Sequence, residues 1–299
     1  MRTLPLVLVL AALGGCAASA PRPTAEPDLV VSAAELAAGV DGAVVVHVAR
    51  DRADYEAGHV PGARFLPFSA VAAERDGVPN VLPPVGDVRA AFEAVGVSDG
   101  SRVVLYGDLG GLAAARALYA LDAVGHGGGA VLDGGLAAWR RAGQAVSTGT
   151  PRAVASGTIA ARPGDGVTAT AADVRALLGP TAAGRAALVD ARPVDQYTGE
   201  TPGGGITRPG HVPGAASLFW EDDLQPDGTL RPLAELRARY AAAGVVPGEP
   251  VVTYCRTGVQ ASHAYLVARL LGLRPRLYDG SYFEWSNRTD YPVQPGSTP

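Results

Sequence analysis

The sequence predicts an α/β protein made of two similar domains, each a parallel sheet covered by helices on both faces. Short β-branched runs alternate with alanine-rich helical stretches, as expected for buried parallel strands joined by crossover helices. Three motifs also recur in the same order at a spacing of roughly 150 residues, which marks an internal duplication. Gly58-His59-Val60-Pro61-Gly62-Ala63 returns as Gly210-His211-Val212-Pro213-Gly214-Ala215. Val104-Leu105-Tyr106 returns as Val252-Thr253-Tyr254, and Asp133-Gly134-Gly135 with Trp139 returns as Asp279-Gly280-Ser281 with Trp285.

The chain has 299 residues, enough for two cored domains, and its 47% hydrophobic content excludes a disordered polymer. Net charge is −4 with no basic stripe, which argues against nucleic acid as a partner. All 25 basic side chains are arginine, so Schiff-base chemistry on lysine is excluded.

In chain order, Met1-Arg2 and the apolar run Leu4 to Leu13 are too short to span a bilayer and read as an export signal. Leu13-Gly14-Gly15-Cys16 resembles a bacterial lipobox. That resemblance implies a signal peptide over 1–15 and lipidation of Cys16. It also implies a protein anchored in the cell envelope, on the periplasmic face or the cell surface. Residues 16–28 are Pro/Ala-rich and are expected to be a tether. The first domain is expected over 29–146. Ser32 caps a helix from Ala33 to Ala38, and Val44 to Val48 is a strand. Arg102 to Tyr106 (strand), Leu112 to Val124 (helix), Ala130 to Leu132 (strand) and Leu136 to Arg141 (helix) follow. Residues 147–166 lack periodicity and read as a linker, and 167–299 form the second domain.

The chemistry is expected at Val251-Val252-Thr253-Tyr254-Cys255-Arg256-Thr257-Gly258-Val259-Gln260. Here a strand delivers a thiol to a glycine-containing loop, and a helix-like stretch from Ala261 to Leu271 follows. Unpaired amides at a helix start, a curled loop and an adjacent arginine all favour a sulfur anion and predict a lowered thiol pKa. With Cys16 lipidated, Cys255 is the only thiol left, so it forms no internal disulfide and the two cysteines supply no structural zinc site. His59 and His211 read as turn-stabilising, and His263, in the helix, as packed or hydrogen-bonded.

The Cys255 loop resembles the active-site loop of the rhodanese family, and the repeat resembles its tandem members, whose second domain carries catalysis. The resemblance implies a sulfurtransferase that moves a sulfane sulfur from thiosulfate to cyanide or a thiol through a Cys255 persulfide, with no metal and no organic cofactor. Arg256, Thr257, Gly258, Val259 and Gln260 would bind the donor. Leu188-Val189-Asp190-Ala191-Arg192 resembles the family's Asp-x-Arg segment, so Asp190 and Arg192 are candidate substrate-binding residues. Ion pairing at a strand end is the other reading for them. Cys-Arg-Thr-Gly-Val favours thiosulfate, and 3-mercaptopyruvate is the alternative donor. Gln196 stands where several tandem members have an arginine. In the first half Gly107 or Asp108 occupies the cysteine position and His47 replaces the acid, so that half is expected to be inert and to form one wall of a cleft. A persulfide carrier or redox sensor is the alternative from another class. A Cys-based phosphatase is disfavoured because position 261 is alanine rather than a phosphate-gripping arginine. The oligomeric state is left open.

Overall fold

The computed structural model describes residues 29–40, 42–161, 166–178 and 186–299. The expected signal peptide, the tether and Cys16 lie outside the described residues. The first half runs β1 (Val30–Val31), α1 (Ala33–Gly39), β2 (Val44–Ala49), α2 (Arg52–Ala57), β3 (Arg64–Pro67), β4 (Ala73–Arg75) and β5 (Val78–Val81). It continues with α3 (Val85–Ala94), β6 (Val103–Gly107), α4 (Leu112–Ala123), β7 (Gly129–Leu132) and α5 (Gly135–Arg141). The second half runs β8 (Thr168–Ala169), α6 (Ala171–Ala176), β9 (Ala187–Asp190), α7 (Val194–Thr198) and β10 (Ala216–Ser217). It ends with α8 (Leu233–Ala242), β11 (Pro250–Tyr254), α9 (Val259–Leu270), β12 (Arg274–Tyr278) and α10 (Ser281–Ser286).

Each half contains one five-stranded parallel sheet, ordered β1-β7-β6-β2-β3 and, read from the matching edge, β8-β12-β11-β9-β10. The central strands are valine-rich because both of their faces are covered. Val46, Val48, Val103, Val104, Val189 and Val251 are fully buried. Ser32 forms the expected cap of α1, as a capping box with Glu35.

The repeated motif does the same work twice. His59 stacks on Tyr55 at 3.9 Å and His211 on Tyr197 at 3.7 Å, while each Nδ1 lies within 3.0 Å of its tyrosine's backbone carbonyl. Tyr106 Oη accepts from Val60 N at 3.0 Å, and Tyr254 Oη from Val212 N at 3.1 Å. Trp139 and Trp285 each donate from Nε1 to a carbonyl at 2.7 Å. Trp285 is fully buried, so it belongs to the core and not to a cavity wall.

The halves share one hydrophobic core across α4 and α9. Every residue of α4 is buried, and its alanines let α9 approach closely. Tyr119 meets Tyr265 edge-on at 5.5 Å. Asp122 on α4 accepts from Tyr265 Oη at 2.9 Å and pairs with Arg269. The repeat also produces two matching cross-half contacts. Asp133 Oδ1 accepts from Leu230 N at 2.9 Å, and Asp279 Oδ2 accepts from Leu82 N at 2.6 Å. The segment read as a linker is strapped to the first half. Gly157 N and Ile159 N donate to the carbonyl and carboxylate of Glu93, both at 2.8 Å, and Ile159 is buried.

Two features were not visible in the sequence. The antiparallel hairpin β4-β5 presents Asn80 to the second half at a positive φ of 59°, a conformation asparagine tolerates. Arg116 on α4 is completely buried. Its Nε and Nη2 donate to the carbonyls of Val71 and Asn80, and Nη2 lies 2.7 Å from Asp279 Oδ1. Replacing Asp279 with alanine strands that cation in the interior, and a loss of about 3–5 kcal/mol is expected. Urea unfolding reads it; a loss below about 1 kcal/mol would show the pair to be no stronger than a surface ion pair.

Candidate active site

β11 lies between β9 and β12, and its register sets Tyr254 beside Asp190, so Cys255 emerges at the C-terminal end of the sheet. The loop that follows is tied down by its own backbone. Cys255 N donates to Ser281 Oγ at 3.2 Å, and the carbonyls of Cys255 and Arg256 accept from Tyr282 N and Phe283 N at 2.9 Å. Gly258 caps α9 at φ 85°, where a Cβ would lie 3.0 Å from the Asp279 carbonyl oxygen and 3.2 Å from Arg116 Nη1. With the loop carbonyls held on one side, the backbone N–H groups of Thr257, Gln260 and Ala261, around the start of α9, favour the charged form of the Cys255 sulfur.

Cys255 is free and 1% exposed. Burial pushes its thiol pKa up; the three amides pull it back and the Asp190 charge adds to the rise. The expectation of a lowered thiol is therefore corrected. The sequence showed the dipoles but not the depth of the sulfur, and desolvation outweighs them.

The sulfur opens on a cavity of about 290 Å³ between the halves. Cys255, Arg256, Thr257, Val259 and Gln260 line it from the second half, as does Gln196, whose Oε1 is buried without a hydrogen-bond partner. Arg50, Asn80, Leu109 and Leu112 line it from the first half. Asn80 Nδ2 donates to Thr257 Oγ1 at 3.1 Å, leaving the threonine hydroxyl proton free to donate elsewhere. Among the described residues no carboxylate lines this cavity.

The structure does not bring Asp190 and Arg192 to the cavity. Both are fully buried, and Arg192 folds back on the acid two residues earlier, with Nε 2.9 Å from Oδ1 and Nη2 2.6 Å from Oδ2. Arg192 Nη2 also donates to the Gly210 carbonyl, and the guanidinium lies 4.0 Å from the Tyr282 ring centroid. They brace the wall beneath the loop, which corrects the reading of these two as substrate contacts. His263 lines a second, mostly apolar interdomain cavity of about 260 Å³. Burial and the Arg239 cation push its pKa down to about 4, so it is a packed neutral ring against Trp220.

In the first half the register puts Gly107, not Asp108, at the cysteine position, one residue after Tyr106, which pairs with His47. A Cβ there would sit 2.0 Å from the Val48 carbonyl oxygen. Asp108 instead accepts from Arg50 N at 3.0 Å. Asn80, Arg116, Arg50 and Ser281 were missed by sequence reasoning. Only Ser281 carried a signal, its place in the repeated Asp-Gly motif. Among the described residues no group of three or more His, Cys, Asp or Glu side chains could hold a metal ion.

The arrangement is a nucleophilic sulfur with fixed donors for an anion on it. Because burial raises the thiol pKa, alkylation of Cys255 by iodoacetamide should keep accelerating through and beyond about pH 8.5, where an ordinary cysteine is half ionised. A plateau reached below pH 8 would show that the dipoles outweigh burial.

The rhodanese-like domain model matches the chain twice, over residues 32–142 and 170–288. A thiosulfate sulfurtransferase of Pseudomonas aeruginosa is 34% identical over 243 residues, 81% of this chain and 88% of that one. A probable 3-mercaptopyruvate sulfurtransferase of the same organism is 36% identical over 252 residues, 81% of this chain and 86% of that one. Among solved structures, an anaerobic ergothioneine biosynthesis enzyme from Chlorobium limicola superposes with a TM-score of 0.77 at 26% identity, covering 90% of this chain and 70% of that one.

Proposed function

Because the protein belongs to the rhodanese family, we propose that it is a sulfurtransferase that carries sulfane sulfur on Cys255, with thiosulfate as donor. In the first half-reaction the Cys255 thiolate attacks the outer sulfur of thiosulfate. A new S–S bond forms, the old one breaks, and sulfite leaves with the electron pair. In the second, cyanide or a thiolate attacks the terminal sulfur of the persulfide and leaves as thiocyanate or a new persulfide, restoring the thiolate. The cycle is redox-neutral and needs no further reactant.

The observation that carries this reading is Cys255 on the cavity wall at the start of α9, where the Thr257, Gln260 and Ala261 backbone N–H groups favour a charge on the sulfur. They are preorganised donors for the charge that the sulfur bears in both states. Arg256 and Gln260 take donor-facing positions on the cavity wall and Gly258 lets the loop turn, while Val259 supplies an apolar side. The 3-mercaptopyruvate reading stays second, supported by the named relative. The carrier reading is disfavoured by the 1% exposure of Cys255, which a protein partner would have to reach.

Incubation with thiosulfate should add one sulfur atom to the intact mass of the wild type and none to Cys255→Ser. Equal masses for both would defeat the persulfide cycle. Turnover with thiosulfate and cyanide should exceed turnover with 3-mercaptopyruvate and a thiol; the reverse order would assign the second donor.

The reading extends to location. Residues 1–15 are proposed as a removed signal peptide and 16–28 as a tether, with Cys16 lipidated and the protein held in the cell envelope. The resemblance of Leu13-Gly14-Gly15-Cys16 to a lipobox supports this. Cys16→Ser should move the protein from the membrane fraction to the soluble fraction and abolish labelling by radioactive palmitate. Unchanged fractionation and labelling would refute the anchor.

A further inference from the structure

We propose that Arg50, contributed by the half without the thiol, joins Arg256 to form a two-arginine subsite over Cys255 that selects a doubly charged donor. This rests on the sulfurtransferase reading and names the charge class of its substrate.

Three observations support it. Arg50 and Arg256 line the same cavity as Cys255 and approach it from opposite halves. Other arginines of the interior are neutralised: Arg116 by Asp279, Arg192 by Asp190 and Arg239 by Asp223. Among the described residues neither Arg50 nor Arg256 has a carboxylate within ion-pair distance, and no acid lines the cavity between them. The positive charge there is uncompensated, as expected where an anionic ligand supplies the missing partner.

Arg50 is also placed for the task. It follows β2 directly, and Asp108 Oδ2 holds its backbone N–H at 3.0 Å. Its guanidinium carbon lies 5.6 Å from the Phe68 ring centroid, so a buried aromatic face guides an exposed side chain. The oxygens of Asp108 are directed to that backbone N–H and to His47 Nε2, 3.8 Å away. Arg256 runs along the 203–205 turn, where a Cβ on Gly204 would lie 3.1 Å from its Nη1.

The chemistry explains why one cation is insufficient. A thiolate attacking a dianion brings three negative charges into one small cavity. The loop amides serve the sulfur being attacked, and Arg256 and Arg50, lining the cavity from opposite halves, take the sulfonate end of the donor. A singly charged donor such as 3-mercaptopyruvate needs that second cation less. Gln196, which lines the cavity from the same half as Arg256, is neutral and cannot supply that charge.

The experiment has two arms. In the first, inert sulfate protects Cys255 from iodoacetamide, which reads dianion binding without any sulfur transfer. The wild type and Arg50→Lys should be protected at similar concentrations, and Arg50→Gln should need about tenfold more sulfate, the typical loss of one charge-assisted contact. In the second, Arg50→Gln should raise the KM for thiosulfate about tenfold, with a smaller rise for 3-mercaptopyruvate. Equal sulfate protection of the wild type and Arg50→Gln overturns the proposal. If protection depends on Arg50 while thiosulfate supports no turnover, the subsite stands and the donor assignment falls.

Discussion

The molecule is organised around a conflict at one atom. Cys255 must become an anion where water is excluded, and desolvation opposes that. The counterweight is a set of amides aimed at the sulfur before any substrate arrives. They can be aimed because the loop's carbonyls are already bound by Tyr282 and Phe283. The loading reaction resolves the conflict further. A persulfide on Cys255, as proposed, would move the charge by one S–S bond, about 2 Å, away from the buried sulfur and into the cavity that Arg256 lines. Burial makes the thiol costly to ionise, and in the proposed cycle the persulfide carries its charge nearer the open cavity.

The same requirement accounts for the half that lacks the thiol. The wall facing the sulfur comes from the half without the thiol, whose side chains hold the loop and line the cavity. Asn80 binds Thr257, Leu82 binds Asp279, and Arg116 sits behind Gly258. These contacts rest on a core that α4 and α9 share, so the cavity is part of the fold and not a cleft between independent bodies.

The fold and the reactive loop could be read from the chain because their signals are local. Valine runs mark two-sided burial, and a motif repeated in order marks duplication. The strand-cysteine-glycine-helix succession fixes the direction of the amides. What could not be read depends on distance through space. Asn80 and Thr257 are 177 residues apart, and nothing in either segment announces the other. The depth of Cys255 belongs to the same class, which is why the thiol's shift was misjudged. Asp190 and Arg192 were legible as an acid and a base near the loop. Whether they faced each other or the cavity depended on one backbone turn.

Gly107 gives the duplication a direction. The first half lacks more than a sulfur atom there, because its strand end has closed against the Val48 carbonyl until no side chain fits. Restoring a cysteine would require the main chain to part first. A second thiol at this strand end is thus barred by the main chain itself, and a single substitution cannot install one without moving the backbone.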